Sequence, residues 1–303
     1  VASVDVADAQ TRIASHLVGR ERELELMLAA VAAGRDIVLE GPPGTSKTTM
    51  LKAITEEWGI PLLFVEGNAD LTPAKLVGHH NPARVLREDY SADNFVAGPL
   101  IEAMREGGFL YIEEFNRAPE DTLNTLLSAM ADRSITAPRV GTIVAKPTFR
   151  VIASMNPYDN VGTTRLSTSM HDRLNRLALD YQDAPAEEAI VTLRTHADGP
   201  LQERMVADAV AVTRATRNHP DIRQGSSVRG AIDCVLVAEQ LAELRRLTSP
   251  ADEGYSELFY DAMIVALSGR IHLDEAIDAT PERVLREIWE DRFVLEPAVA
   301  EPG

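Results

Sequence analysis

Two clusters of side chains in this chain could do chemistry together. Residues 41–48 read Gly41-Pro42-Pro43-Gly44-Thr45-Ser46-Lys47-Thr48, a phosphate-binding loop in all but one position. Small residues let successive backbone N–H groups curl round an anion at a helix N-terminus, where unsatisfied donors and the positive end of the dipole already favour phosphate. Lys47 is then placed to reach the β- and γ-phosphates, and the Thr48 hydroxyl to bind Mg²⁺. Ser46 stands where the motif has glycine, which makes the loop more hindered at that point. The second cluster, Glu113-Glu114, ends the apolar run Gly108-Phe109-Leu110-Tyr111-Ile112. In a phosphate-loop enzyme such a pair supplies one carboxylate to the Mg²⁺ shell and a second to polarise the attacking water. Without the loop, adjacent acids at a strand end would mean only a solvated turn.

These groups need a scaffold that brings loop and acids together. The run before the loop, Asp36–Glu40, is short, apolar and β-branched, and the run after it, Thr48–Ile54, is an amphipathic helix. Similar strand-like runs recur at Pro61–Glu66, Phe109–Glu113, Phe149–Met155 and Leu177–Tyr181, with helical patterns between several of them. This alternation predicts an α/β domain with a mostly parallel sheet covered by helices. Ligands in such sheets bind beyond the carboxyl ends of the strands, where the polar clusters lie. Two segments look inserted: residues 79–98, which interrupt the path to a helix at Pro99–Arg105, and residues 134–148, which alternate like a hairpin around Val140-Gly141. After about residue 183 only helical patterns remain, at Ala186–Thr195, Leu201–Arg217, Val228–Leu247, Glu257–Leu267 and Pro281–Arg292. The expected domains are therefore 1–183 and an all-helical 184–303. Ser227 suits an N-cap and Pro281 a first helical turn, and the tail Pro297–Gly303 is expected to fray.

With 303 residues and 45% hydrophobic content the chain can bury a sizeable core. No apolar run approaches the ~20 residues of a membrane helix, and the first residues lack the basic start of a signal peptide. The expected location is cytoplasmic, with no membrane partner. The single cysteine, Cys234, cannot form an internal disulfide and sits in a pattern that reads as a buried helical thiol. The net charge of −17 argues against a broad contact with nucleic acid, whose affinity rests on clustered Lys and Arg.

The chain resembles the AAA+ ATPases, and within them the MoxR group with its relatives of the CbbQ, NorQ and gas-vesicle GvpN type. The resemblance rests on Val18-Gly19-Arg20, Glu40–Thr48, Glu113-Glu114-Phe115-Asn116-Arg117-Ala118-Pro119, Ala153-Ser154-Met155-Asn156-Pro157 and Met170-His171-Asp172-Arg173-Leu174. It is close over residues 17 to about 182 and loose beyond. It implies a phosphate-loop parallel sheet sandwiched by helices, followed by a small helical lid, with ATP and Mg²⁺ as cofactors. Val18 and Gly19 would lie near the adenine. Pro42, Pro43, Gly44, Thr45, Ser46, Lys47, Thr48 and Thr49 would make the nucleotide contacts of the loop, with Thr48 and Glu113 at the metal and Glu114 orienting the water. Asn156 matches the first sensor, Arg173 the arginine presented to a neighbouring subunit's ATP, and Arg229 the second sensor; Arg176 competes with Arg173. A head-to-tail ring, with a hexamer as the family expectation, would carry the segments at 79–98 and 134–148 toward its axis.

Two residues depart from the family pattern. Glu113 replaces the usual metal-associated Asp, and Leu174 replaces a Phe that often follows the finger arginine. Hydrolysis is still expected, with slow turnover allowed for by Glu113. The resemblance implies an ATPase that remodels, matures or activates a client protein, often with a von Willebrand factor A domain partner, here on another chain because its Asp-x-Ser-x-Ser pattern is absent. One alternative is a nucleic-acid motor or loader, with Arg133, Arg139 and Lys146 of the hairpin lining a basic pore. Another is a scaffold that binds ATP and barely turns it over. The remaining tempting residues read as structural: His79-His80 as loop residues, Trp58 and Trp289 as packing, and Glu239–Arg246 as a partly solvated helical face.

Overall fold

The computed structural model describes residues 6–14, 17–81, 94–156 and 163–295. The strands among the described residues are numbered in chain order: β1 Ile37–Glu40, β2 Leu62–Glu66, β3 Gly78–His80, β4 Phe95–Ala97, β5 Phe109–Glu113, β6 Ser134–Ala137, β7 Gly141–Val144, β8 Arg150–Met155, β9 Asn175–Ala178, β10 Ile222–Gln224 and β11 His272–Leu273. The chain separates into two compact units, one ending at Asp180 and the other beginning at Tyr181.

In the first unit five strands form a parallel sheet in the order β2-β5-β8-β1-β9. Its central strands β5, β8 and β1 are apolar on both faces because each face is covered, the signature of a parallel sheet inside helical layers. Alternate residues feed two cores. Ile37 and Leu39 of β1, Phe109 and Tyr111 of β5 and Ile152 of β8 join Leu24, Met27 and Leu28 from the helix Glu21–Ala32 and Met50, Leu51 and Ile54 from the helix Lys47–Trp58. On the other face Val38, Leu110, Ile112, Val151 and Ala153 meet the helices Pro99–Glu106 and Glu120–Asp132 through Ile101, Met104, Leu123 and Leu126.

The start of the sheet is pinned by Asp36. Its carboxylate accepts from the Val151 N–H at 2.8 Å and from Arg133 Nη2 at 3.0 Å. Burial pushes this carboxyl up from its ordinary range, and the Val151 N–H and Arg133 pull it back. Arg133 also donates to the Phe149 carbonyl, so the first of the three hairpin cations is tied into the sheet.

The hairpin expected at 134–148 is present as β6 and β7, paired antiparallel from Ser134↔Val144 to Ala137↔Gly141. The ends of the segment at 79–98 pair as β3 and β4, and its middle lies outside the described residues. His79 and His80 therefore belong to a strand and not to a loop, a correction that follows from Gly78–His80 finding Phe95–Ala97 as a partner. The last strand of the sheet also differs from the expectation of 177–181. It starts at Asn175, and polar Asn175 and Arg176 are tolerated because β9 is an edge strand with an exposed face. The tail from 297 onward lies outside the described residues.

The second unit contains the helices Ala184–Thr195, Pro200–Asn218, Val228–Arg245, Tyr255–Leu267 and Pro281–Glu290, with β10 and β11 as a small antiparallel pair. Ser227 caps the third through the Arg229 N–H, and Pro281 occupies the first turn of the last behind the Thr280 cap. Cys234 is fully buried and its thiol is pushed far up by desolvation. Trp289 lies in this core, and Trp58 packs against the core of the first unit.

Asp208, wholly buried, accepts from Arg204 Nε at 2.7 Å, Tyr255 Oη at 3.0 Å and Arg292 Nη2 at 2.9 Å, joining three helical segments. Asp208→Ala leaves Tyr255 unsatisfied in the core, while the two arginines can turn to solvent. We expect a loss of about 2–3 kcal/mol, read from the urea midpoint. Among the described residues no helix is long and apolar enough to cross a membrane.

Candidate active site

The strand order puts β5, β8 and β1 side by side, so three carboxyl ends open onto one edge of the sheet. The loop 41–48 follows β1, Glu113-Glu114 follow β5 and Asn156 follows β8. Sequence-distant groups become neighbours by topology alone.

The loop is locked to the sheet before it turns. Gly41 donates to the Met155 carbonyl at 3.1 Å, and a Cβ at Gly41 would sit 2.1 Å from the Leu179 carbonyl oxygen, so only glycine fits there. Thr45 Oγ1, buried, donates to the Pro42 carbonyl at 2.9 Å and closes the turn. Gly44 has φ of 78° and Ser46 has φ of 63°. Ser46 thus takes the left-handed conformation that explains the motif's preference for glycine, at a cost of roughly 1 kcal/mol. The next residue, Lys47, opens the helix Lys47–Trp58. Its ammonium donates to the Gly41 carbonyl at 2.8 Å and the Pro42 carbonyl at 2.7 Å, which holds it across the mouth of the loop. Pro42 is buried, Pro43 and Thr49 are exposed, and Val18 and Gly19 precede the helix Glu21–Ala32.

Thr48 Oγ1 lies 3.5 Å from Glu113 Oε1 and 3.1 Å from the Tyr111 hydroxyl, which in turn donates to Ser154 Oγ at 3.0 Å. A hydroxyl and a carboxylate at this spacing, beside a curl of backbone donors and an ammonium, form a hard-oxygen set suited to Mg²⁺ and a phosphate-rich ligand. The residues present fit Mg-nucleotide. Glu114 has φ of 51°, and its side chain pairs with Arg117 Nε at 3.2 Å. Gly67 supports this turn: it donates to the Glu113 carbonyl at 2.7 Å, and a Cβ on it would fall 2.3 Å from the Glu114 carbonyl oxygen.

The turn after Glu114 connects onward. Thr164 donates from N to the Asn116 carbonyl at 2.5 Å and from Oγ1 to the Ala118 carbonyl at 2.9 Å, just before the short helix Thr168–Arg173. Arg173 is exposed at the end of that helix, with one guanidinium N–H on the Ser169 carbonyl. Arg176, three residues on, is paired with Glu40. Arg229 is exposed in the first turn of its helix in the second unit. Tyr111, Ser154, Gly67 and the Glu40–Arg176 pair are not among the residues that sequence reasoning singles out. Only Tyr111 leaves a signal there, a polar tip within an apolar strand that needs a partner when buried.

Residues 36–174 match the model of the AAA domain of the dynein-related subfamily. Gas vesicle ATPase GvpN of Ancylobacter aquaticus is 28% identical over 255 residues, covering 78% of this chain and 69% of that protein. GvpN2 of Halobacterium salinarum is 28% identical over 305 residues, covering 95% of this chain and 83% of its own. Among solved structures, a protein assigned as an ATPase from Cytophaga hutchinsonii covers 94% of this chain and is covered over 92% of its own length, with a TM-score of 0.50 at 22% identity. RuvB of Thermotoga maritima, a Holliday junction branch migration motor, covers 82% of this chain and is covered over 70% of its own, with a TM-score of 0.53 at 18% identity. These structural likenesses speak to the fold. Loop, acid pair and sheet order agree with these likenesses: the chain has an AAA-type fold, its residues 36–174 match the AAA domain of the dynein-related subfamily, and it is similar to the gas-vesicle ATPases GvpN.

Proposed function

We propose that this chain binds and hydrolyses Mg-ATP in a head-to-tail ring and uses the cycle to remodel, mature or activate a client protein in the cytoplasm. The observation that carries the chemistry is the meeting of Thr48 and Glu113 at 3.5 Å beside the Lys47 ammonium, with Glu114 next in the chain. Lys47 and the loop N–H groups would hold the phosphates, and Thr48 and Glu113 the metal. The metal, when bound, would neutralise charge on the phosphoryl oxygens. Glu114 would orient and deprotonate water, and Asn156 would hydrogen-bond both the water and the γ-phosphate. Val18 and Gly19 are assigned to the adenine.

We assign the trans-acting arginine to Arg173 rather than Arg176, because both are exposed but Arg176 is paired with Glu40 of its own chain, whereas Arg173 bonds to the Ser169 carbonyl. A site that needs a neighbour's arginine is incomplete in a monomer, which favours a closed ring such as a hexamer. The hairpin β6–β7 and the segment at 79–98 are assigned to client contact, with a von Willebrand factor A domain protein on another chain as partner. The nucleic-acid alternative loses support from Arg133, whose guanidinium is tied to Asp36 and Phe149 and so unsuited to line a pore.

The test is Mg²⁺-dependent ATP hydrolysis per subunit over a wide protein concentration range. Specific activity that rises with concentration supports a shared-site oligomer; normal ATP affinity with no turnover at any concentration leaves the scaffold reading instead. Glu114 offers a finer prediction. Its pairing with Arg117 draws the carboxylate toward its own turn, and both side chains are partly exposed, so the pair is worth at most about 1 kcal/mol. Arg117→Ala is therefore expected to raise basal hydrolysis about two- to fivefold, measured at saturating ATP.

A further inference from the structure

Three hydroxyls line up beneath the phosphate loop: Thr48 at the start of its helix, Tyr111 in β5 and Ser154 in β8. The Tyr111 ring is fully buried, and its hydroxyl donates its one proton to Ser154 Oγ at 3.0 Å. The phenol oxygen therefore faces Thr48 as an acceptor, at 3.1 Å. Thr48 has a single proton, and Glu113 Oε1, the competing acceptor, is farther away at 3.5 Å. The shorter contact favours the phenol as the acceptor of that proton. Both remaining lone pairs of Thr48 Oγ1 are then available on the side away from β5, and Glu113 keeps its carboxylate free of that proton.

We propose that Tyr111 is a positioning residue that accepts a hydrogen bond from the Thr48 hydroxyl and thereby aims the Thr48 oxygen at the Mg²⁺ of a bound nucleotide. The assignment rests on the Mg-nucleotide reading of the site. It also gives a physical reason for the chain to tolerate glutamate at position 113, since the carboxylate no longer has to orient the hydroxyl as well.

The experiment measures binding of a fluorescent N-methylanthraniloyl ATP, once in EDTA and once across a Mg²⁺ titration. It uses the full chain, Tyr111→Phe and Ser154→Ala. Tyr111→Phe keeps the ring and removes the oxygen, so Thr48 is freed to turn its proton toward Glu113. Ser154→Ala strips the phenol of its acceptor, so the phenol turns its proton to Thr48 and occupies a lone pair there. Both variants are expected to bind the nucleotide in EDTA within about twofold of the parent and to raise the Mg²⁺ midpoint roughly five- to tenfold. An equal weakening with and without Mg²⁺ would make the role merely structural and overturn the proposal. So would an unchanged Mg²⁺ midpoint in either correctly folded variant. A parent chain that binds no nucleotide under either condition would overturn the Mg-nucleotide reading itself, and this assignment with it.

Discussion

Glu114→Gln is expected to lower steady-state ATP hydrolysis by about 10²–10⁴-fold while leaving ATP affinity within about twofold of the parent. The substitution would remove only the proposed base. Glutamine keeps the length of the side chain and the left-handed turn at φ 51°, and Gly67 still supports the backbone beneath it. In the proposed site the phosphate contacts would come from Lys47 and the loop, on a different strand end, so binding should survive. Lys47→Ala is the opposite case, with binding expected to fail because the charge that faces the phosphates is gone. Equilibrium binding and phosphate release on the same preparations separate the two. If Glu114→Gln retains full turnover, the water is activated by another group, and Glu113 becomes the first to examine.

Most of this site is legible without coordinates because its parts are local. A strand, a glycine-rich turn and a Lys-Thr at a helix start are contiguous, and so is an apolar strand ending in two acids. The strand order, which makes these neighbours, does not appear in the sequence, and neither does the register that sets a side chain on one strand opposite its partner on the next. Tyr111 illustrates the loss. In an apolar run it reads as core, and its role emerges only when Ser154, 43 residues away, comes within 3.0 Å. Arg176 illustrates it differently: it reads as a surface arginine, and its pairing with Glu40 emerges only when β9 is seen to lie beside β1. β9 itself starts two residues earlier than its apolar pattern predicts, because an edge strand can carry exposed polar residues that such a pattern does not include. The pairing of His79 and His80 in β3 is hidden for a related reason, since its partner β4 lies across an intervening segment.

Arg173→Ala is expected to reduce hydrolysis by about 10³–10⁵-fold in the assembled protein, with ATP binding retained. An exposed guanidinium at the end of a short helix has no structural duty beyond one bond to the Ser169 carbonyl, so its removal should leave the fold intact. Arg176→Ala should instead change turnover by less than about fivefold, because it breaks a solvent-exposed pair with Glu40. Whether Arg173 acts across a subunit boundary is decided by mixing. Neither Arg173→Ala nor Glu114→Gln is expected to be active alone, yet an Arg173→Ala subunit still offers an intact Glu114 to the intact Arg173 of a Glu114→Gln neighbour. In a random equal mixture about a quarter of the head-to-tail interfaces are complete in this sense, and hydrolysis should recover toward that fraction of the parent rate. If Arg173 served its own subunit's nucleotide, every site in the mixture would lack one of the two groups and no activity would return. A fully active Arg173→Ala would remove the residue from the mechanism altogether, and with it the argument that the site requires a ring.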